Sequence, residues 1–299
     1  VSARLLDGKA TSEAIRAELK EKVAVLAQKG IQPGLAVILV GDNPASASYV
    51  KGKTKACAEL KMVGETFTYP ESISHSELLA LVRKLNGDSH YHGILIQLPV
   101  PEHLDSPSLL EAIDPNKDVD CFHPQNVGCL LLGRPTYAPC TPAGIMELLV
   151  RNGITLEGKH VVIVGRSNIV GKPLAALLIQ KSSHGNATVT VCHTGSGDLS
   201  RYTRTADILV AAMGKAEFIP GSMIKSGAVV VDVGMNRVPD FSKKSGYRLV
   251  GDVHFDSAQE VASAITPVPG GVGPMTVTML MANTVQAANL FSEKRKDQR

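Results

Sequence analysis

The sequence predicts a two-domain α/β protein, and three observations carry that expectation. The chain has 299 residues, more than the roughly 100–200 of one ordinary domain. Short apolar runs bounded by glycine and proline alternate with amphipathic stretches, the order that gives parallel strands covered by helices. That order occurs twice, on either side of a proline-rich stretch over 99–142 and without an internal sequence repeat.

The elements follow in order. Ala14, Ile15, Leu19, Val23 and Leu26 recur at three- and four-residue steps and predict a helix over 9–29, stopped by Gly30. The run 35–40, between Pro33-Gly34 and Gly41-Asp42-Asn43-Pro44, reads as a buried parallel strand. A helix over 46–62, a strand over 65–69, a helix over 75–86 and a strand over 93–98 complete the first series. Residues 99–142 hold prolines at 99, 101, 107, 115, 124, 135, 139 and 142 and are expected to be loop-rich and functional. A helix over 143–151 leads to strands over 160–164, 188–191, 207–211 and 228–232, with a helix over 171–181 joining the first two. Parallel neighbours require right-handed crossovers, so the second series is expected to be a Rossmann-type unit. The last helix, over 274–291, is expected to return to the first domain.

Composition excludes several classes of function. The chain is 44% hydrophobic and 20% charged, which predicts a packed core. Its net charge is +3, its aromatic content is 4% and it has no Trp, so no nucleic-acid partner and no base-stacking surface are expected. Runs of the ~20 apolar residues that a membrane span needs are missing. The cluster Lys294-Arg295-Lys296 reads as a solvated end. Val1-Ser2-Ala3-Arg4 carries no signal-peptide pattern, and the missing Met implies a trimmed or omitted residue. Five scattered cysteines (Cys57, Cys121, Cys129, Cys140, Cys192) lack Cys-x-x-Cys spacing and read as reduced thiols of a cytoplasmic enzyme. Nine histidines show no ligand spacing, so no metal is expected. Met275, Met279 and Met281 follow helical packing.

One loop points to a nucleotide. The strand over 160–164 runs into Gly165-Arg166-Ser167-Asn168-Ile169-Val170-Gly171-Lys172-Pro173. Glycines after a strand admit a ligand to the backbone, and the next helix offers N–H groups to phosphate. This is not G-x-G-x-x-G, and taken alone it reads nearly as well as an ordinary βα turn. Arg166 is suited to fork onto a phosphate. The second strand ends in Cys192-His193-Thr194, with no carboxylate before Asp198 to hold a ribose 2′-hydroxyl. A 2′-phosphate is welcomed by Arg166 and Thr194, which favours NADP over NAD.

The chain resembles the methylenetetrahydrofolate dehydrogenase/methenyltetrahydrofolate cyclohydrolase family over essentially its whole length. The resemblance rests on Tyr49-x-x-x-Lys53, Ile96-Gln97-Leu98-Pro99-Val100-Pro101, Lys117-Asp118-Val119-Asp120 and Pro139-Cys140-Thr141-Pro142-x-Gly144. It continues through the loop at 165–173, Asp232-Val233-Gly234-Met235-Asn236 and the run from Thr266 through Pro269-Gly270-Gly271-Val272-Gly273-Pro274 to Thr276. In this order and spacing the set is specific. It implies two α/β domains around a cleft, with residues 1–142 and 275–299 binding folate and residues 143–274 binding NADP. It further implies oxidation of 5,10-methylenetetrahydrofolate to the methenyl cation, hydrolysis to 10-formyltetrahydrofolate, and a homodimer formed through the Rossmann-type domains.

Lys53, Gln97 and Tyr49 are the candidate catalytic residues. Tyr49 and Lys53 share a helix face at i and i+4, a lysine made less basic by burial trades protons near neutral pH, and Gln97 is placed to orient it. The resemblance implies that Tyr49 stacks on folate, that Asp120 bonds the pterin, and that Leu98, Pro269, Gly270, Gly271, Val272 and Gly273 line the substrate site. For the cofactor it implies Thr141, Gly165, Arg166, Ser167, Ile169, His193, Thr194 and Met235. Taken alone, Lys53 is a solvated charge, Tyr49 packing, Gln97 a strand-end polar group, Asp120 a turn residue and His193 a strand cap. Asp7, Asp42 and Asp118 read as turns or caps.

Two departures stand out. Many members have glycine after the Asp120 position, where this chain has Cys121, and a positive φ there would strain cysteine and displace Asp120. Many read Gly-Asp-Val-Asp where this chain has Gly251-Asp252-Val253-His254, expected at a strand end. The rival readings are a dehydrogenase without the hydrolytic step, a non-catalytic nucleotide-binding module, and an NAD-using relative.

Overall fold

The computed structural model describes residues 2–243 and 246–297; of the basic cluster at the end, the side chains of Arg295 and Lys296 lie outside the described residues. In chain order the elements are β1 (Arg4–Leu5), α1 (Gly8–Gln28), β2 (Gly34–Val40), α2 (Pro44–Glu59), β3 (Val63–Tyr69), α3 (His75–Gly87), β4 (Gly93–Ile96), α4 (Ser106–Glu111) and α5 (Pro124–Leu131). Then come α6 (Cys140–Arg151), β5 (His160–Val164), α7 (Gly171–Leu178), β6 (Thr188–Cys192), α8 (Ser200–Thr203), β7 (Ile208–Ala211), β8 (Val229–Asp232), β9 (Asn236–Pro239), β10 (Tyr247–Val250), α9 (Phe255–Gln259), β11 (Ala264–Ile265) and α10 (Val272–Asp297).

Contacts divide the chain into two compact α/β units. One comprises residues 14–140 and 277–299. Its parallel sheet has the order β3-β2-β4. Every residue of β2 is buried, as expected for a central strand covered on both faces. Leu78, Val82 and Leu85 bring one face of α3 onto this sheet, and Ser74 with Glu77 closes a capping box that fixes where α3 begins.

The other unit comprises residues 1–13 and 141–276 and is Rossmann-type. Its six parallel strands have the order β1-β11-β8-β7-β5-β6. From β5 the chain moves outward to β6 and then crosses to β7 on the other side. That reversal creates a switch point at the carboxyl ends of β5 and β7, where open α/β sheets take their ligands.

The structure corrects one expectation and adds two features to the others. Residues 1–13, expected with the first domain, pack with the second unit, because β1 adds to β11 and the Ala3 N–H bonds the Gln259 carbonyl at 3.0 Å. The stretch 99–142 holds two helices, because Pro107 and Pro124 are first-turn residues rather than breakers. The hairpin of β9 and β10 was not expected; up to the buried Val250 its strands alternate half-buried and exposed residues.

Candidate active site

Helix α2 presents Tyr49 and Lys53 one turn apart. Its start is set by Asn43, whose side-chain oxygen accepts the Ser46 N–H at 3.2 Å. Tyr49 is 43% exposed and Lys53 only 9%, so the ring meets solvent while the amine lies inside. From the sheet, Gln97 follows the last residue of β4, and its N–H continues the ladder to the Ile38 carbonyl at 2.9 Å. The Gln97 side-chain nitrogen donates to the Leu98 carbonyl at 2.8 Å, which turns Oε1 to accept from Lys53 Nζ at 2.9 Å.

Asp120 supplies the opposing charge. Burial pulls the Lys53 amine below its ordinary value, and the charge of Asp120 opposes that pull. Burial raises the Asp120 carboxyl, against the charge of Lys53 and a hydrogen bond with the Cys140 thiol. Both shifts favour the neutral form of each group, the direction that makes a lysine available as a base. Burial also holds the Cys140 thiol well above its ordinary range, with the Asp120 charge adding to it, so Cys140 stays protonated.

The turn carrying Asp120 is built by its neighbours. The buried Asp118 carboxylate accepts the N–H groups of Phe122 at 3.1 Å and His123 at 2.9 Å, and the Asn126 side chain at 2.8 Å. Cys121 does adopt a left-handed conformation, with φ of 61°. Its thiol donates to the Tyr137 carbonyl at 3.3 Å and its N–H to the Asp118 carbonyl at 3.2 Å. Asp120 nevertheless lies near enough to Lys53 for its charge to raise the amine. On α10, Asn283 donates to the carbonyls of Val119 at 2.8 Å and Ala138 at 2.9 Å, which ties down the segments bearing Asp120 and Cys140. Sequence reasoning missed Cys140 and Asn283; a lone amide inside the apolar run Met281-Ala282-Asn283-Thr284-Val285 was the available signal.

The Rossmann-type unit gathers the candidate cofactor residues. Gly165 has φ of +136°, and a Cβ there would lie 2.1 Å from the Ala212 carbonyl oxygen. A Cβ on Gly171 would lie 2.0 Å from the Gly165 oxygen. Both positions therefore require glycine, and the loop lies across the switch point. Arg166, Ser167 and Ile169 are exposed, and Ser167 Oγ accepts the Val170 N–H at 3.1 Å. Helix α7 opens without a side-chain cap, as suits a helix start that receives phosphate. Cys192 pairs with Val164, so His193 and the exposed Thr194 leave the sheet level with Gly165 and Arg166. His193 Nδ1 accepts the Gly195 N–H at 3.0 Å, which puts the neutral ring's proton on Nε2.

The loop at 269–273 needs glycine for a steric reason. A Cβ on Gly8 would lie 1.8 Å from the Gly271 oxygen, and one on Gly271 would lie 2.6 Å from the Pro267 oxygen. Gly270 has φ of +109° and its carbonyl accepts the Lys9 N–H at 3.1 Å. Val272 is buried, and Gly273 faces the end of the Met235 side chain. Thr141 and Thr276 share a hydroxyl hydrogen bond of 2.9 Å. Pro269 and these loop residues belong to the same unit as the cofactor candidates, whereas Tyr49, Lys53, Gln97, Leu98 and Asp120 belong to the other. His254 caps α9, its Nδ1 accepting the Ser257 N–H at 3.4 Å, so this departure is a helix cap. Among the described residues, no group of three or more His, Cys, Asp or Glu side chains is placed to hold a metal ion.

Comparison with known proteins gives concordant matches. Residues 6–120 match the model of the tetrahydrofolate dehydrogenase/cyclohydrolase catalytic domain, and residues 139–292 that of the tetrahydrofolate dehydrogenase/cyclohydrolase NAD(P)-binding domain. The chain is 56% identical over 287 residues to the bifunctional protein FolD 1 of Myxococcus xanthus, covering 96% of this chain and 98% of that one. It resembles the crystal structure of the Campylobacter jejuni bifunctional FolD methylenetetrahydrofolate dehydrogenase/cyclohydrolase, with a TM-score of 0.91, 51% identity and coverage of 97% and 100%. The Trypanosoma brucei methylenetetrahydrofolate dehydrogenase-cyclohydrolase, solved with NADP cofactor and an inhibitor, matches with a TM-score of 0.92, 42% identity and coverage of 97% and 99%.

Proposed function

The chain belongs to the tetrahydrofolate dehydrogenase/cyclohydrolase family, and from that premise we propose how its residues divide the work. It is a bifunctional enzyme that oxidises 5,10-methylenetetrahydrofolate with NADP and hydrolyses the methenyl product to 10-formyltetrahydrofolate. The observation that carries the residue assignment is the buried hydrogen bond from Lys53 to Gln97 beside Asp120.

In the first reaction the bound NADP would supply the acceptor for the hydride that leaves the one-carbon bridge. The loop fits such a dinucleotide, since both of its glycines leave no room for a side chain and its exposed residues include a guanidinium. Gly165, Ser167 and the first turn of α7 would hold its pyrophosphate, Arg166 and Thr194 its 2′-phosphate, and His193, Ile169, Met235 and Thr141 would line the rest.

In the second reaction the one-carbon carbon is already electrophilic, so the enzyme needs a held water and a base. Lys53 in its neutral form takes the proton as the water oxygen bonds to that carbon. The same ammonium then returns the proton to the ring nitrogen as its bond to the carbon breaks, while the new hydroxyl releases its remaining proton to solvent and its oxygen becomes the formyl carbonyl. The positive methenyl group itself disfavours a charged Lys53, which keeps the base available. Gln97 holds the Nζ in line, Tyr49 offers its exposed ring to the pterin, and Asp120 bonds the pterin while setting the basicity of Lys53. Leu98 and the loop Pro269–Gly273 complete the substrate's surroundings.

We assign a homodimer formed through the Rossmann-type units, supported by the place of β6 at the edge of its sheet, and a cytoplasmic location. Among the described residues no helix is long and apolar enough to cross a membrane. Sedimentation of the purified chain tests the dimer. The activity is tested by following reduced cofactor and acid-quenched methenyl intermediate separately. NADP reduction with little methenyl accumulation, after subtraction of spontaneous hydrolysis, is expected. Stoichiometric accumulation would leave a dehydrogenase alone.

A further inference from the structure

Two buried carboxylates meet at the carboxyl ends of β7 and β8 and take no part in the chemistry above. Asp232 is 4% exposed and Asp252 not at all. The Asp252 carboxylate accepts the N–H groups of three consecutive residues, Met213 at 2.7 Å, Gly214 at 2.9 Å and Lys215 at 2.9 Å, and the Asn236 side chain at 2.9 Å. The Asp232 carboxylate accepts the N–H groups of Gly234 at 2.9 Å, Asp252 at 2.9 Å and Val253 at 2.8 Å. The approach leaves no space for side chains. A Cβ on Gly251 would lie 1.8 Å from Asp232 Oδ2, and one on Gly234 would lie 2.3 Å from Asp252 Oδ1.

Two like charges buried side by side are a poor way to stabilise a fold, since apolar residues of the same volume usually serve as well or better. Their partners show what they do instead. Asp252 gathers the loop that leaves β7, and Asp232 gathers the one that leaves β8. The first loop begins at Ala212, whose N–H bonds the Val164 carbonyl at 2.8 Å and whose own carbonyl fills the space beside Gly165. The second continues from Gly234 directly into Met235. One chain of contacts therefore runs from the glycine loop at the switch point, through Ala212, Asp252 and Asp232, to Met235.

We propose that Asp232 and Asp252 are positioning residues for NADP, holding the loops after β7 and β8 in the shape that receives the cofactor. This rests on the assignment of NADP to the Rossmann-type unit. Carboxylates suit the task because a carboxylate offers about four acceptor sites and no donor, whereas an amide would set an N–H against an N–H.

The test is Asp252→Asn in the full chain, with NADP affinity read by calorimetry and hydrolysis read on methenyltetrahydrofolate supplied without NADP. NADP affinity should fall by about ten- to a hundredfold, the scale of groups displaced by an ångström, while hydrolysis stays within about twofold of wild type. Equal loss of both would make the carboxylates general supports of the fold and overturn the proposal. So would a folded variant that binds NADP as wild type does. If Asp252→Asn does not fold, Asn236→Ala decides: it removes one donor to the same carboxylate, and unchanged NADP affinity overturns the proposal. Failure of the wild-type chain to bind NADP would refute the cofactor assignment itself, before any variant is compared.

Discussion

Lys53 Nζ and Gln97 Oε1 lie 2.9 Å apart, one carried by helix α2 and the other by the residue after strand β4. Gln97 cannot swing away, because its backbone is in the ladder and its amide nitrogen is already bonded to Leu98. A lysine side chain, which ordinarily samples many rotamers, is thereby held in one.

Lys53→Met should remove the proposed base without emptying the space. Hydrolysis of methenyltetrahydrofolate is expected to fall by about a hundredfold or more, with NADP affinity unchanged within about twofold. The check is hydrolysis of supplied methenyl substrate beside calorimetry with NADP. Retained hydrolysis in the folded variant would take the role away from Lys53.

Asp120→Asn should move the pH profile rather than only its height. Burial lowers the Lys53 amine and the Asp120 charge raises it. Removing that charge leaves the lowering unopposed, so neutral amine forms at lower pH and the acidic limb of hydrolysis shifts to more acid values. An unmoved limb would mean that the two groups do not share a titration.

What the sequence made legible followed from strong local rules. The strands β2, β5, β7 and β8 are short apolar runs with clear ends, and α1 repeats its apolar positions through most of its turns. The i, i+4 spacing put Tyr49 and Lys53 on one face. What stayed hidden depended on partners far along the chain. The two residues of β1 form a strand only because β11 accepts them, and prolines at 107 and 124 read as breakers unless each is known to open a helix. Asp252 gave no sign of collecting three N–H groups from residues 213–215, because that loop reaches it only in the folded sheet.

Arg166→Ala should discriminate between cofactors. The guanidinium is exposed and level with the end of β6, where a 2′-phosphate offers charged acceptors and a 2′-hydroxyl does not. A lost charge-assisted hydrogen bond costs about 1.5–3 kcal/mol, so NADP affinity should drop about ten- to a hundredfold while NAD binding changes little. Equal losses for both cofactors would refute the 2′-phosphate role.

Cys121 lets backbone strain be weighed separately from packing. With φ of 61°, a residue carrying a Cβ is strained by roughly 1 kcal/mol relative to glycine. Both Cys121→Gly and Cys121→Ala remove the thiol that donates to the Tyr137 carbonyl, so their difference reports mainly the backbone. Glycine should be the more stable of the two by about 1 kcal/mol, the reverse of its usual order. Thermal melts that rank alanine above glycine would show that this turn relaxes out of the left-handed region.

Asp232 should leave a mark on stability as pH changes. Burial, with the charge of Asp252 adding to it, pushes its carboxyl up to about 6 against the backbone N–H groups that favour ionisation. In the unfolded chain the same group titrates near pH 3.9. Between those values the folded chain keeps a proton that the unfolded chain has lost, so the contribution of Asp232 to stability declines as pH rises from about 4 through 6. Above that range the cost is fully present, on the order of 3 kcal/mol for a shift of about two units. Asp232→Asn has no such titration, and its lost acceptor is a roughly constant offset. The stability of wild type relative to Asp232→Asn, read from denaturant midpoints of the Rossmann-type unit at pH 4 and pH 7.5, should therefore fall as pH rises. A difference independent of pH would mean that Asp232 ionises at its ordinary value and that the carboxylate pair is held at no cost.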